Sequence, residues 1–63
     1  MMQEVLMIRI EEAARRLGLG RSLTYRFIQT GALPSVKVGG ARRVLVADLE
    51  LFVQRLKDDS TGE

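Results

Sequence analysis

The chemistry available to this chain lies in its cations. Arg15, Arg16, Arg21, Arg26, Lys37, Arg42 and Arg43 fall between Glu12 and Asp48 with no acidic residue among them, so 35 consecutive residues carry +7. Both flanks are acidic, residues 1–12 summing to −2 and residues 48–63 to −3. A cation block of this density suits a polyanion. Its bland counterpart is a solvated basic face that pairs with the acidic ends after folding. Catalysis has little to work with: neither His nor Cys is present, which removes imidazole acid-base chemistry, thiolates, disulfides and the usual zinc ligands. The acidic residues sit in solvated terminal segments, and no nucleophile and base emerge as a pair. The sequence therefore predicts no enzyme, no metal site, no cofactor and no small-molecule ligand.

The elements that position these cations must come from 63 residues. A chain of that length buries only about 60% of its unfolded surface, enough for one core. Apolar runs such as Val5 to Ile8 stop at four residues, far short of the roughly 18 that span a bilayer, so the reading is a cytoplasmic protein without a membrane partner. Gly-containing breaks at 18–20, 31–34 and 39–40 divide the chain into four pieces. In the first, Ile10, Ala13, Ala14 and Leu17 form one apolar helical stripe, with Glu11 and Glu12 in its first turn and Arg15 and Arg16 outside. Gly18 reads as a left-handed stop and Gly20 as a weak N-cap of the next helix. The two alanines let that helix cross closely.

The second helix covers about Arg21 to Thr30, with Thr24, Phe27 and Ile28 inward and Ser22, Arg26 and Gln29 outward. Whether Leu23 or Thr24 faces the core is left open. After Pro34, Val36 and Val38 alternate with Ser35 and Lys37, Gly39-Gly40 supplies a tight turn, and Val44 and Val46 alternate on return. That is a two-stranded hairpin with a basic tip, expected to lean on the helices through its valines. From Ala47 the 3.6 period returns, Leu49, Phe52, Val53 and Leu56 marking a third helix that ends near Lys57. Leu51 falls on its far face. Residues 1–5 are expected to be flexible, 6–57 to form the domain, and 58–63 to be a disordered acidic tail.

The local wording is more specific than the element order. Glu11-Glu12-Ala13-Ala14-Arg15-Arg16-Leu17-Gly18-Leu19, Arg21-Ser22-Leu23-Thr24-Tyr25-Arg26-Phe27-Ile28, Gly31-Ala32-Leu33-Pro34 and Val36-Lys37-Val38-Gly39 with Arg42-Arg43 resemble the small excisionase-like DNA-binding proteins related to the MerR helix-turn-helix. The resemblance covers Leu6 to Leu56 and implies an α+β, mostly α, winged helix-turn-helix of three short helices and a hairpin wing. It departs from the family at Arg9 and Gly20, where such proteins usually place Ser or Thr caps, and at the Leu23-Thr24 pair.

The resemblance implies a second helix in the major groove of double-stranded DNA and a wing on the adjacent minor groove or backbone. Arg21, Ser22, Tyr25 and Arg26 become the expected contacts of the helix, Tyr25 through its hydroxyl. Lys37, Arg42 and Arg43 become those of the wing, whose thin tip suits the negative potential of a minor groove. Arg15, Arg16, Leu23 and Gln29 are weaker candidates. Each also has a plain reading: a solvated arginine, a half-buried aromatic, a charged guard of an edge strand. The function implied is an excisionase, a recombination directionality factor that bends element DNA and turns an integrase toward excision. A small transcription regulator needs the same surface, and a protein-interaction adaptor without DNA binding is the alternative from another class. Leu51 and Val5 to Ile8 are candidate protein contacts for self-association in head-to-tail fashion on DNA.

Overall fold

The computed structural model describes residues 4–61, so parts of both expected loose ends, Met1–Gln3 and Gly62–Glu63, lie outside the described residues. In order the elements are β1 (Met7–Arg9), α1 (Ile10–Leu17), α2 (Arg21–Thr30), β2 (Val36–Val38), β3 (Ala41–Leu45) and α3 (Val46–Thr61). The winged helix-turn-helix is as expected, with one strand more. The hairpin β2–β3 is joined on its other side by β1, giving an antiparallel sheet of order β1-β3-β2. Three residues, Met-Ile-Arg, are too few to show a strand period, and their partners Leu45, Val44 and Arg43 lie over 30 positions away.

The two helices of the motif meet through small side chains. Ala13, Ala14 and Thr24 are all buried, and Thr24 rather than Leu23 faces the core. Its hydroxyl donates to the Gly20 carbonyl at 2.9 Å, which satisfies the polar atom without a partner from outside the helix. Between the helices the chain turns at Gly18, in the left-handed region at φ 71°, with Leu19 N–H donating to Ala14 C=O and Gly18 N–H to Arg15 C=O, both at 3.1 Å. These are the paired bonds of a Schellman turn. Below the motif lie Ile8, Ile10, Leu33, Val44, Leu49 and Phe52, and Phe27 meets Phe52 edge-to-face with centroids 5.0 Å apart, joining α2 to α3.

Register corrects the expectation for the valines. Val36 pairs with Arg43 and Val38 with Ala41, while the buried Val44 pairs with Ile8. Directly paired residues share a face and neighbours along a strand do not, so Val36 and Val38 lie on the outer face and are exposed. Of the four valines expected inward, Val44 is buried and Val46, at the start of α3, also packs against the core. Gly39 and Gly40, at φ 58° and 90°, make a turn with positive φ at both central residues, as a two-residue hairpin requires.

Helix α3 also differs. It starts at Val46, and only Leu49 and Phe52 of its stripe are buried, Val53 and Leu56 being exposed like Leu51. At about 1.5 Å per residue its 16 residues outrun so small a core. It continues through Thr61, so residues 58–61 of the expected disordered tail are helical. Gln54 donates to Asp58 one turn on, at 3.2 Å.

Candidate nucleic-acid interface

Helix α2 owes its place to three inward residues, Thr24, Phe27 and Ile28, and the 3.6-residue period then dictates the rest. Ser22, Arg26 and Gln29 form the middle of the outward face, Arg21 and Tyr25 run down one flank, and Leu23 lies on the other. All six are exposed to solvent. Gly20 caps the helix with extended backbone, φ −69° and ψ 158°, and no side-chain hydrogen bond. The first-turn N–H groups therefore have no side-chain cap and point along the axis, next to Arg21 and Ser22. A cation at this end opposes the helix dipole, so Arg21 brings the fold no local gain.

Tyr25 on this helix and the wing border a common opening. With Arg42 and Arg43 of β3, Tyr25 lines an open notch of about 460 Å³ that also takes in Arg9 and Glu11 at the β1–α1 corner. Arg42 donates to Ser35 Oγ at 3.1 Å and Arg43 to the Arg42 carbonyl at 3.0 Å, bonds that orient both guanidiniums without neutralising them. Lys37 stands directly across from Arg42, next to the glycine turn. None of Arg21, Arg26, Lys37, Arg42 and Arg43 has an acidic partner among the described residues. These are the cations expected at the interface, and they share the α2 face and the wing.

Arg15 and Arg16 are arranged otherwise. Glu12 accepts from Arg15 Nε at 2.9 Å and from Arg16 Nε at 2.8 Å, so one carboxylate holds both guanidiniums of α1. Its hydrogen bond from Arg15, and then that from Arg16, lowers the Glu12 pKa from the ordinary 4.5 to about 2. The same pairing raises that of Arg15. The clamp is thus in force above about pH 4.5 and is lost only as pH falls toward 2. Sequence reading missed it, although the i, i+3, i+4 spacing of Glu12, Arg15 and Arg16 was there to find. It also missed Arg9 as a residue of the notch.

Val5 and Leu6 before β1 and, on different sides of α3, Leu51 against Val53 and Leu56 are exposed, whereas Ile8 of the expected Val5 to Ile8 contact segment is buried in the core. No helix among the described residues is long and apolar enough to cross a membrane.

Comparison with known proteins places the same residues in a wider set. A family model described as a helix-turn-helix domain matches residues 7–57. Among curated proteins, the chain is 37% identical over 51 residues to a "Probable excisionase" of Saccharopolyspora erythraea, across 81% of this chain and 52% of that protein. It is 39% identical over 57 residues to an "Excisionase" of Streptomyces ambofaciens, across 90% of this chain and 86% of that one. The chain thus spans about half the length of the first relative and most of the second. No solved structure matches it.

Proposed function

Because the chain belongs to the excisionase-like family of small helix-turn-helix proteins, we propose that it binds double-stranded DNA through α2 and the wing and serves as a recombination directionality factor. The observation that carries this reading is the set of cations without acidic partners among the described residues, Arg21 and Arg26 on the exposed side of α2 and Arg42 and Arg43 on β3, with Tyr25 lining the notch beside the wing arginines. Arg21 and Ser22, at the open end of α2, read base edges, with Tyr25 and Arg26 on the adjoining backbone. Lys37, Arg42 and Arg43 anchor the wing on the minor groove or its phosphates. Bond-making and bond-breaking belong to an integrase, which the protein biases toward excision by bending the element's DNA.

One module of this kind buries only about 600–1,000 Å² of its surface on DNA, too little for high specificity alone. Copies on neighbouring sites supply the rest, head to tail, with Leu51 on the far face of α3 and the exposed Val5 and Leu6 before β1 as the contact points. Titration onto duplexes carrying one site or two adjacent sites, across a salt series, tests both statements. With about four to six phosphate contacts, log affinity falls with log salt at a slope of roughly −4 to −5, a loss of about 10²- to 10³-fold between about 50 and 200 mM. The two-site duplex fills cooperatively. A flat salt response would remove the DNA reading in favour of a protein-interaction adaptor, and independent filling would remove the head-to-tail contact.

The Glu12 clamp yields a further expectation. Glu12→Gln releases Arg15 and Arg16 and should raise affinity for random-sequence duplex several-fold, steepening the salt slope by about one to two units. If slope and affinity stay as in the parent protein, α1 lies too far from the backbone for its cations to matter.

A further inference from the structure

Arg9 is expensive for the fold in two ways. It occupies the N-cap of α1 in extended backbone, φ −70° and ψ 157°, with no side-chain capping bond, where Ser, Thr, Asp or Asn would satisfy a helix N–H. It also stands directly across the β1–β3 ladder from Arg43, and like charges in that relation repel. No acidic residue among the described ones pairs with either guanidinium. A position that offends two local rules with no gain inside the molecule is where a use outside it should be sought.

The surroundings show what that use requires. β1 turns away into α1 after Arg9, while β3 runs on toward the wing tip through Arg42 and Ala41, so the sheet edge beyond the Arg9–Arg43 pair is uncovered. The notch of about 460 Å³ lies at this corner, large beside the about 30 Å³ that one water occupies. Arg9 and Arg43 border it from one face of the sheet and Arg42 from the other, with Tyr25 and a single carboxylate, Glu11, which leaves an excess of positive charge and several N–H and O–H donors around one opening at the sheet edge. A group with one negative charge and two acceptor oxygens matches that donor set. Tyr25 also lies on the exposed flank of α2 that carries Arg21, so a polyanion lying along that side of the helix reaches the notch.

We propose that the notch at the β1–α1 corner seats one backbone phosphodiester of DNA, with Arg9 supplying a cation that neither the recognition helix nor the wing provides. The proposal rests on the DNA-binding reading and extends the interface to a third element.

The Arg9→Ser variant of the full chain tests it, because fold and binding should respond in opposite directions. Serine can cap α1 and removes the repulsion with Arg43, so the melting temperature stays level or rises. Affinity for a short random-sequence duplex at low salt should fall roughly five- to tenfold, and the salt slope should become shallower by about one unit. Arg9→Lys should restore most of the slope. Parent-like affinity and slope in Arg9→Ser, while the parent protein binds DNA in the usual salt-dependent way, would overturn the phosphate seat and leave the DNA reading intact. Weaker binding with a lower melting temperature would also overturn it, since Arg9 would then be holding the corner together. Failure of the parent protein to bind any duplex would remove the proposal together with the reading beneath it.

Discussion

Leu33→Ala should leave the chain largely unfolded at 25 °C. Leu33 is the largest fully buried side chain among the described residues, at 0% exposure. It reaches that place because the turn after α2 folds back, the Leu33 N–H donating to the Phe27 carbonyl at 3.1 Å. There it belongs to the one cluster that α1, the sheet and α3 share through Ile10, Ala13, Val44, Leu49 and Phe52. Removing most of a leucine from such a site costs about 2–5 kcal/mol. A single core in a chain this short rarely supplies more than about 3–5 kcal/mol in all. Val38→Ala is the matching control, because Val38 is 48% exposed on the outer face of the sheet and its loss should stay within about 0.5 kcal/mol. Thermal unfolding followed by circular dichroism separates the two. A Leu33→Ala protein that still melts cooperatively within a few degrees of the parent would mean that the core around Leu33 collapses to fill the gap.

That core shows where sequence was a good guide and where it was not. Helix periods are local, and Ile10, Ala13, Ala14, Phe27, Leu49 and Phe52 all sit inward as their spacing requires, while the choice between Leu23 and Thr24 needed the structure. The stops at Gly18 and Gly31 were equally legible, since a left-handed residue after an apolar stripe is a local event. Faces of a sheet are not local. Val36 and Val38 alternate as a half-buried strand should, yet their pairing with Arg43 and Ala41 turns them outward, and only the partner strand carries that information. β1 was invisible for the same reason. Val53 and Leu56 keep a helical period that outlasts the core beneath it, because a stripe records which side of a helix is apolar and not how far the neighbouring elements extend.

The candidate interface divides along the same line. Ser22, Arg26 and Gln29 could be assigned to the outward side of α2 from period alone, and the structure leaves them exposed there, with Arg21 and Tyr25 exposed on the flank. Arg9 could not be linked to Arg42 and Arg43 without the register that sets Arg9 across from Arg43. Read as a sequence, it was merely a poor cap.

Replacing Arg21 on α2 and replacing Arg42 with Arg43 on the wing should affect DNA binding in different ways. In the proposed docking Arg21 meets a base edge, whereas the wing arginines meet backbone charge. Arg21→Ala should therefore lose about 1–3 kcal/mol on the specific site, roughly 5- to 150-fold, and little on random duplex. Stability should hold or rise slightly, because the change removes a cation from the positive end of a helix dipole. The double variant Arg42→Ala, Arg43→Ala should weaken specific and random duplexes alike and make the salt slope shallower by about two units. It too should fold, since the bonds it breaks, to Ser35 Oγ and to the Arg42 carbonyl, are exposed, and Arg42 stands against Lys37 across the hairpin. Affinities for both duplexes, measured across the same salt series for the parent and the two variants, decide the matter. Equal losses on both duplexes for Arg21→Ala would make α2 the anchor. A double variant that lost only its preference for the specific site would move base reading to the wing, and with both results the assigned roles of helix and wing would be exchanged.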